Sequence, residues 1–420
     1  MLRHITARRR VMEISRISYL AFIFAGLLFA LMNTDASASA ISAERAGTVA
    51  RKFVVVESQT NSTVSRYWKS ATVTAGPRLL NQTGMTVAYC FTISNNGRYN
   101  GYLLVSGDTN MPPVLEWSLG PCPYLRYPEQ CIRALDEYKS KSGAGRCNLN
   151  LLYATPGRTL SKANMQGGKA KSDVWMDLQA VTFQTSKFPA LFDPISVYKT
   201  NSTYSSAWSL LSSAGNKTNT KVKERDIDGI PYFPFFRSSH VLAAGCALAN
   251  LGAMNRNEIT KAYFARLGNF IEHCLCDRPD KPVSSILSAG VSNFCRMRGL
   301  PINSREFVIR NSSKHAHLDF DGFKELVDSR KPVVLTYSAD PSDAKDYEHL
   351  RLRLYTTSAL AYGYREDSTG KYALAYFPSV ISSDTDTKTL PSVCNKPGII
   401  YVNWDAPTAG SLAIVFERGR

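Results

Sequence analysis

The chain has 420 residues, of which 44% are apolar and 11% aromatic, and a formal net charge of +16. That composition excludes an intrinsically disordered chain, and the length suggests roughly two to three domains. Lys and Arg are scattered rather than gathered in tracts interleaved with aromatics, so the basic balance reads as a solvated surface suited to anionic cell envelopes, with no support for nucleic-acid binding.

In chain order, Arg3, Arg8, Arg9, Arg10 and Arg16 precede an apolar run over 19–32, and Ala36-Ser37-Ala38-Ser39-Ala40 offers small-residue cleavage sites. This is the pattern of a secretory signal peptide over 1–40. The apolar run falls short of the ~20 residues a membrane span needs, so a secreted, periplasmic or envelope location without a transmembrane helix in the mature chain is expected. All nine cysteines follow it: Cys90, Cys122, Cys131 and Cys147, then Cys246, then Cys274, Cys276, Cys295 and Cys394. In an oxidising compartment the outer sets can pair within each region and leave Cys246 as the odd thiol, although spacing fixes no pairing.

Residues 42–58 are compatible with a helix. Residues 85–93 and 102–105 read as a hairpin around Ser94-Asn95-Asn96-Gly97. The ordered run 89–120, with Val105-Ser106-Gly107-Asp108 ending a strand ahead of Pro113-Val114-Leu115, resembles the propeptide of streptopain-type cysteine peptidases and the related free inhibitor domains. The resemblance spans about residues 48–120 and implies a propeptide-like α+β domain over 41–150, a possible intramolecular inhibitor. Residues 133–141 suggest a short helix near Cys131. Residues 157–173 and 200–223 are polar and poorly periodic, so 151–225 is expected to be a linker or poorly defined segment. No residue signal fixes a processing site.

From 226 to 420 the composition turns apolar. Ile230-Pro231-Tyr232-Phe233, followed by Gly245-Cys246 and a small-residue run, resembles the beginning of papain-like bacterial cysteine peptidases. A Cys in the first turn of a helix gains thiolate character from the N–H groups and dipole; a buried core Cys is the other reading. Further helices are expected over 246–255, 258–271, 283–297 and 320–329, the last from apolar residues Phe320, Phe323, Leu326 and Val327. Lys331-Pro332-Val333-Val334 opens a buried strand, and the resemblance implies that the next strand, 352–364, carries the catalytic His. The fold class is therefore α+β, with a helical part bearing Cys246 followed by an antiparallel sheet.

A cysteine peptidase needs a thiolate, an imidazole, a group that orients the imidazole, and oxyanion donors. The family pattern places His six residues before Gly363, and Thr357 stands there instead. His240 and His349 are the substitute bases to consider. Asn403, in Tyr401-Val402-Asn403-Trp404, resembles the orienting Asn. His315 and His317 lack a Cys or carboxylate at ligand spacing, so neither a metal nor a cofactor is expected. The readings are a cysteine-type endopeptidase that cleaves peptide or protein substrates through Cys246, an inactive peptidase fold that binds or inhibits a partner, or a disulfide-held envelope or adhesion protein.

Overall fold

In the computed structural model the described residues are 39–419, except 126, 168–172, 180, 198–203, 213–221, 228–237, 253–260, 278–280, 310–315, 341–355, 378–397 and 407–409. The expected signal peptide up to residue 38, the Ile230-Pro231-Tyr232-Phe233 run, His315 and His349 lie outside them.

Helix α1 (Ala43–Thr60) starts at Ser42, whose hydroxyl accepts the Arg45 N–H at 3.2 Å, and it buries Ala46, Val49, Ala50, Phe53 and Val54. Asn61 ends it and caps α2 (Ser62–Trp68), its Oδ1 accepting from the N–H groups of Thr63 and Val64. Strands β1 (Thr72–Leu80), β2 (Thr86–Asn95), β3 (Arg98–Ser106) and β4 (Val114–Ser118) follow as an antiparallel meander. Asn96 and Gly97 form the β2–β3 turn with φ of 51° and 71°, the left-handed pair that a type I′ hairpin requires.

Next come α3 (Glu129–Ser142), β5 (Arg146–Thr155), β6 (Arg158–Gln166), β7 (Val174–Asp177), β8 (Thr182–Gln184), α4 (Pro194–Val197), α5 (Ser205–Ser212) and β9 (Lys223–Asp226). Where a linker or poorly defined segment is expected over 151–225, the described residues up to Gln184 include most of the hairpin β5–β6 and the strands β7 and β8. The polar composition there misleads because β6 buries polar side chains: Arg158, Thr159 and Ser161 are all buried.

The remaining elements are α6 (Ser239–Asn250), α7 (Lys261–Asp277), α8 (Val283–Arg296), β10 (Ile302–Val308), α9 (Phe320–Asp328), β11 (Val333–Ser338), β12 (Thr356–Asp367), β13 (Gly370–Tyr376), β14 (Ile399–Asn403) and β15 (Gly410–Arg418). Helix α6 packs on β11 and β12, and α8 packs on α7. At Gly290 the two helices come so close that a Cβ would lie 2.8 Å from the Ile271 Cα.

Among the described residues 15 strands join one mostly antiparallel sheet, in the order β10-β15-β11-β12-β13-β14-β4-β3-β2-β1-β5-β6-β7-β8, with β9 also paired to β12. The fold is α+β, and Ser42–Arg420 forms one compact unit. The sheet crosses the expected boundary between the propeptide-like and peptidase-like parts at the β14–β4 seam. There Tyr401 pairs with Trp117 and Val402 with Glu116, and the Trp117 and Tyr401 rings stack at 3.7 Å and 9°. No described helix is long and apolar enough to cross a membrane. Cys90, Cys122, Cys131, Cys147, Cys246, Cys274 and Cys295 are free thiols, and the Cys90 and Cys122 sulfurs lie 3.4 Å apart in the core.

Candidate functional site

The site expected from sequence lies where the start of α6 meets β12. Helix α6 begins at Ser239, with Ser238 as its N-cap residue. Its first turn therefore holds Ser239 and His240, and Cys246 sits two turns further on, in the middle of the helix. This corrects the placement of Cys246 in a first turn: the small-residue run that suggested a helix start is the buried face of a helix already under way. Cys246 is fully buried in the apolar core formed by α6, α7, α8 and the sheet. Burial pushes its thiol well above the ordinary cysteine range, the reverse of what a nucleophile needs.

Thr357 and Ser358 lie in β12 opposite Tyr337 and Thr336 of β11, and both are buried. The His240 Nδ1 is 2.6 Å from the Ser358 hydroxyl, which is also 2.8 Å from the Thr336 hydroxyl. The Ser358 N–H donates to the Ser239 hydroxyl at 3.2 Å. Desolvation and the nearby Arg158 guanidinium push the His240 pKa down to about 3, so the ring is neutral at physiological pH. Its role as the substitute base is not supported by this geometry: it is held by a buried hydroxyl in the sheet rather than by a thiol.

Thr357, where the sequence resemblance implies a His, is approached from another direction. Arg158, at the start of β6, donates from Nη1 to the Thr356 carbonyl at 2.8 Å and to the Thr357 hydroxyl at 3.2 Å. Its Nε donates to Asp177 Oδ2 at 3.1 Å, and Nη2 bonds the same oxygen. A buried Arg–Asp pair from the stretch expected as a linker thus closes over Thr357. Sequence reasoning missed Arg158 and Asp177, which stand on separate strands with no motif to join them. The Ser238-Ser239 pair could have marked the helix start, since Ser is a favoured N-cap residue.

Asn403 is not brought to this place. Its amide Nδ2 donates to the Val114 carbonyl at 3.1 Å across the seam, and its Oδ1 accepts the Asp405 N–H at 3.0 Å. In register it lies beside Tyr372, which faces Arg365. That row is eight residues along β12 from Thr357, about 26 Å at the usual strand rise. Asn403 therefore serves the β14–β4 seam and orients no imidazole near Thr357.

The arrangement as a whole is a closed polar network with no exposed nucleophile among the described residues named here. Among the described residues no group of three or more His, Cys, Asp or Glu side chains could hold a metal ion. In comparisons with known proteins, no family model matches this chain and no curated protein matches it.

Proposed function

We propose that this chain is a catalytically inactive relative of the papain-like cysteine peptidases, exported and working as a binding protein whose fold is kept as a scaffold. The observation that carries this reading is the position of Cys246. A thiol in the middle of a helix and fully buried has neither the helix N-terminal donors nor the access that nucleophilic attack on an amide requires. Two further features support it. Arg158 and Asp177 fill the space beside Thr357 that a general base would need, and His240 is neutral and engaged by Ser358.

The test is alkylation of the folded protein with iodoacetamide across a pH series, with mapping of the labelled peptide, beside a casein hydrolysis assay. Cys246 is expected to stay unlabelled until the protein is unfolded, and casein to stay intact. Labelling of native Cys246 below about pH 8, together with hydrolysis lost in Cys246→Ala, would overturn the reading and restore the peptidase.

A further inference from the structure

A second region of the surface carries chemistry that the Cys246 neighbourhood does not use. Beside the end of α2 and the β2–β3 turn lies a concavity of about 640 Å³, whose lining includes Arg66, Lys69, Ser70, Asn95 and Asn96. An adjoining one of about 430 Å³ shares Arg66, Asn95 and Asn96 and adds Arg98 and Tyr67. No acidic side chain lines either. Among the described residues Arg66, Lys69 and Arg98 are exposed and enter no ion pair. Arg66 and Lys69 thus face the first opening, and Arg66 and Arg98 the adjoining one, without internal neutralisation.

The backbone holds this opening in a fixed shape. Trp68 to Ala71 form a type II turn: the Ala71 N–H donates to the Trp68 carbonyl at 3.0 Å, Lys69 has φ −61° and ψ 119°, and Ser70 has φ 62°. The third position of such a turn favours glycine, so the chain keeps a hydroxyl where glycine would be free of strain, a cost that tends to collect at binding sites. The Asn95 amide ties the turn to the hairpin by donating to the carbonyls of Tyr67 and Lys69, at 3.3 and 3.0 Å. The buried Trp68 indole donates to the Asn100 carbonyl at 2.8 Å and anchors the floor.

We propose that this is a binding site for an acidic oligosaccharide, one bearing sulfate, phosphate or carboxylate groups. Exposed charges act weakly one at a time, so three of them spread over two adjoining openings suit an extended ligand with several anionic groups. Volumes of this size fall within the roughly 300–1,000 Å³ of ligand sites and exceed what one phosphate ion fills. Serine hydroxyls and the exposed Asn96 amide between the cations suit a ligand rich in hydroxyls. The lining offers no exposed apolar side chain to enter a lipid surface. The site stands independently of whether Cys246 reacts.

The test is calorimetric titration of the full chain with a heparin-derived hexasaccharide, beside maltohexaose, inorganic phosphate and phosphatidylserine vesicles. The hexasaccharide is expected to bind, with affinity falling as salt rises. The Arg66→Ala/Arg98→Ala double variant should lose about tenfold or more in affinity with its circular dichroism spectrum unchanged. Ser70→Gly should raise the melting temperature and still weaken binding, which a purely structural serine would not do. No hexasaccharide binding, equal affinity in the double variant, equal binding of maltohexaose, phosphate bound as tightly as the hexasaccharide, or binding of vesicles alone would each overturn the proposal.

Discussion

Strand β12 has a buried arginine at each end, and the two are balanced differently. At the Thr357 end, Arg158 pairs with Asp177 and spends its other donors on the Thr356 carbonyl and the Thr357 hydroxyl. At the other end, Arg365 lies 2.7 Å from Glu57, 2.8 Å from Glu224 and 3.1 Å from Asp367, and also donates to the Thr60 hydroxyl. The side chains of Arg365, Glu57 and Asp367 are all fully buried. One cation against three carboxylates leaves excess negative charge, which the protein relieves by holding a proton. Burial, opposed by Arg365 and reinforced by Asp367, pushes the Glu57 carboxyl up to about 8. The first cluster is a closed ion pair beside Thr357; the second is a clasp that joins α1 and β9 to β12 and answers to pH.

The sharpest way to break this comparison is to remove each cation. Arg365→Met leaves Asp367 and Glu57 buried without a cation and is expected to cost about 4–5 kcal/mol, read from the urea midpoint. A loss below about 1 kcal/mol would dissolve the claimed clasp. Arg158→Met is expected to cost about 3 kcal/mol, and adding Asp177→Leu should recover most of it, because a closed pair can be exchanged for apolar contacts. The parallel rescue with Glu57→Leu should fail at the Arg365 end, where two carboxylates remain. Equal recovery at both ends would show that the two clusters are alike.

A further test is a slope. Glu57 titrates at about 8 when folded, above its ordinary value of 4.5, so the folded protein holds a proton that the unfolded chain has released. The stability this group contributes is full below about pH 4.5 and is lost as pH rises through about 8. Glu116, raised to about 7 by burial against hydrogen bonds from Tyr124, Tyr102 and the Gly157 N–H, adds the same sign. Glu57→Gln resembles the protonated form and should cost little at acid pH while flattening the decline toward pH 8. A decline identical to that of the unsubstituted protein would remove Glu57 as the source.

Much of the scaffold was legible in the sequence. The stripe Ala46, Val49, Ala50, Phe53 specifies α1, Asn96-Gly97 specifies the hairpin, and Phe320, Phe323 and Val327 specify α9, because each signal is local and periodic. The α6 boundary was misread because Ala243 to Leu248 are small or apolar throughout, so the run carries no phase and Gly245-Cys246 imitates a beginning. Strand β6 was missed because its buried residues are partly polar and are satisfied by partners far away in the chain. The same distance hides the candidate site: Arg158 meets Thr357 across 199 positions, a contact that only the sheet order creates.

The β14–β4 seam also sets a timetable for synthesis. Ser118 bonds the Ile399 carbonyl across 281 positions, so β4 emerges and folds against β3 long before its second neighbour exists. Throughout that interval Val114–Ser118, all of it buried in the finished sheet, is a bare strand edge open to pairing with other chains. The interval before Ile399 is made is therefore the stage at which this chain is most open to wrong pairing, and truncation ahead of Ile399 leaves that edge exposed for good.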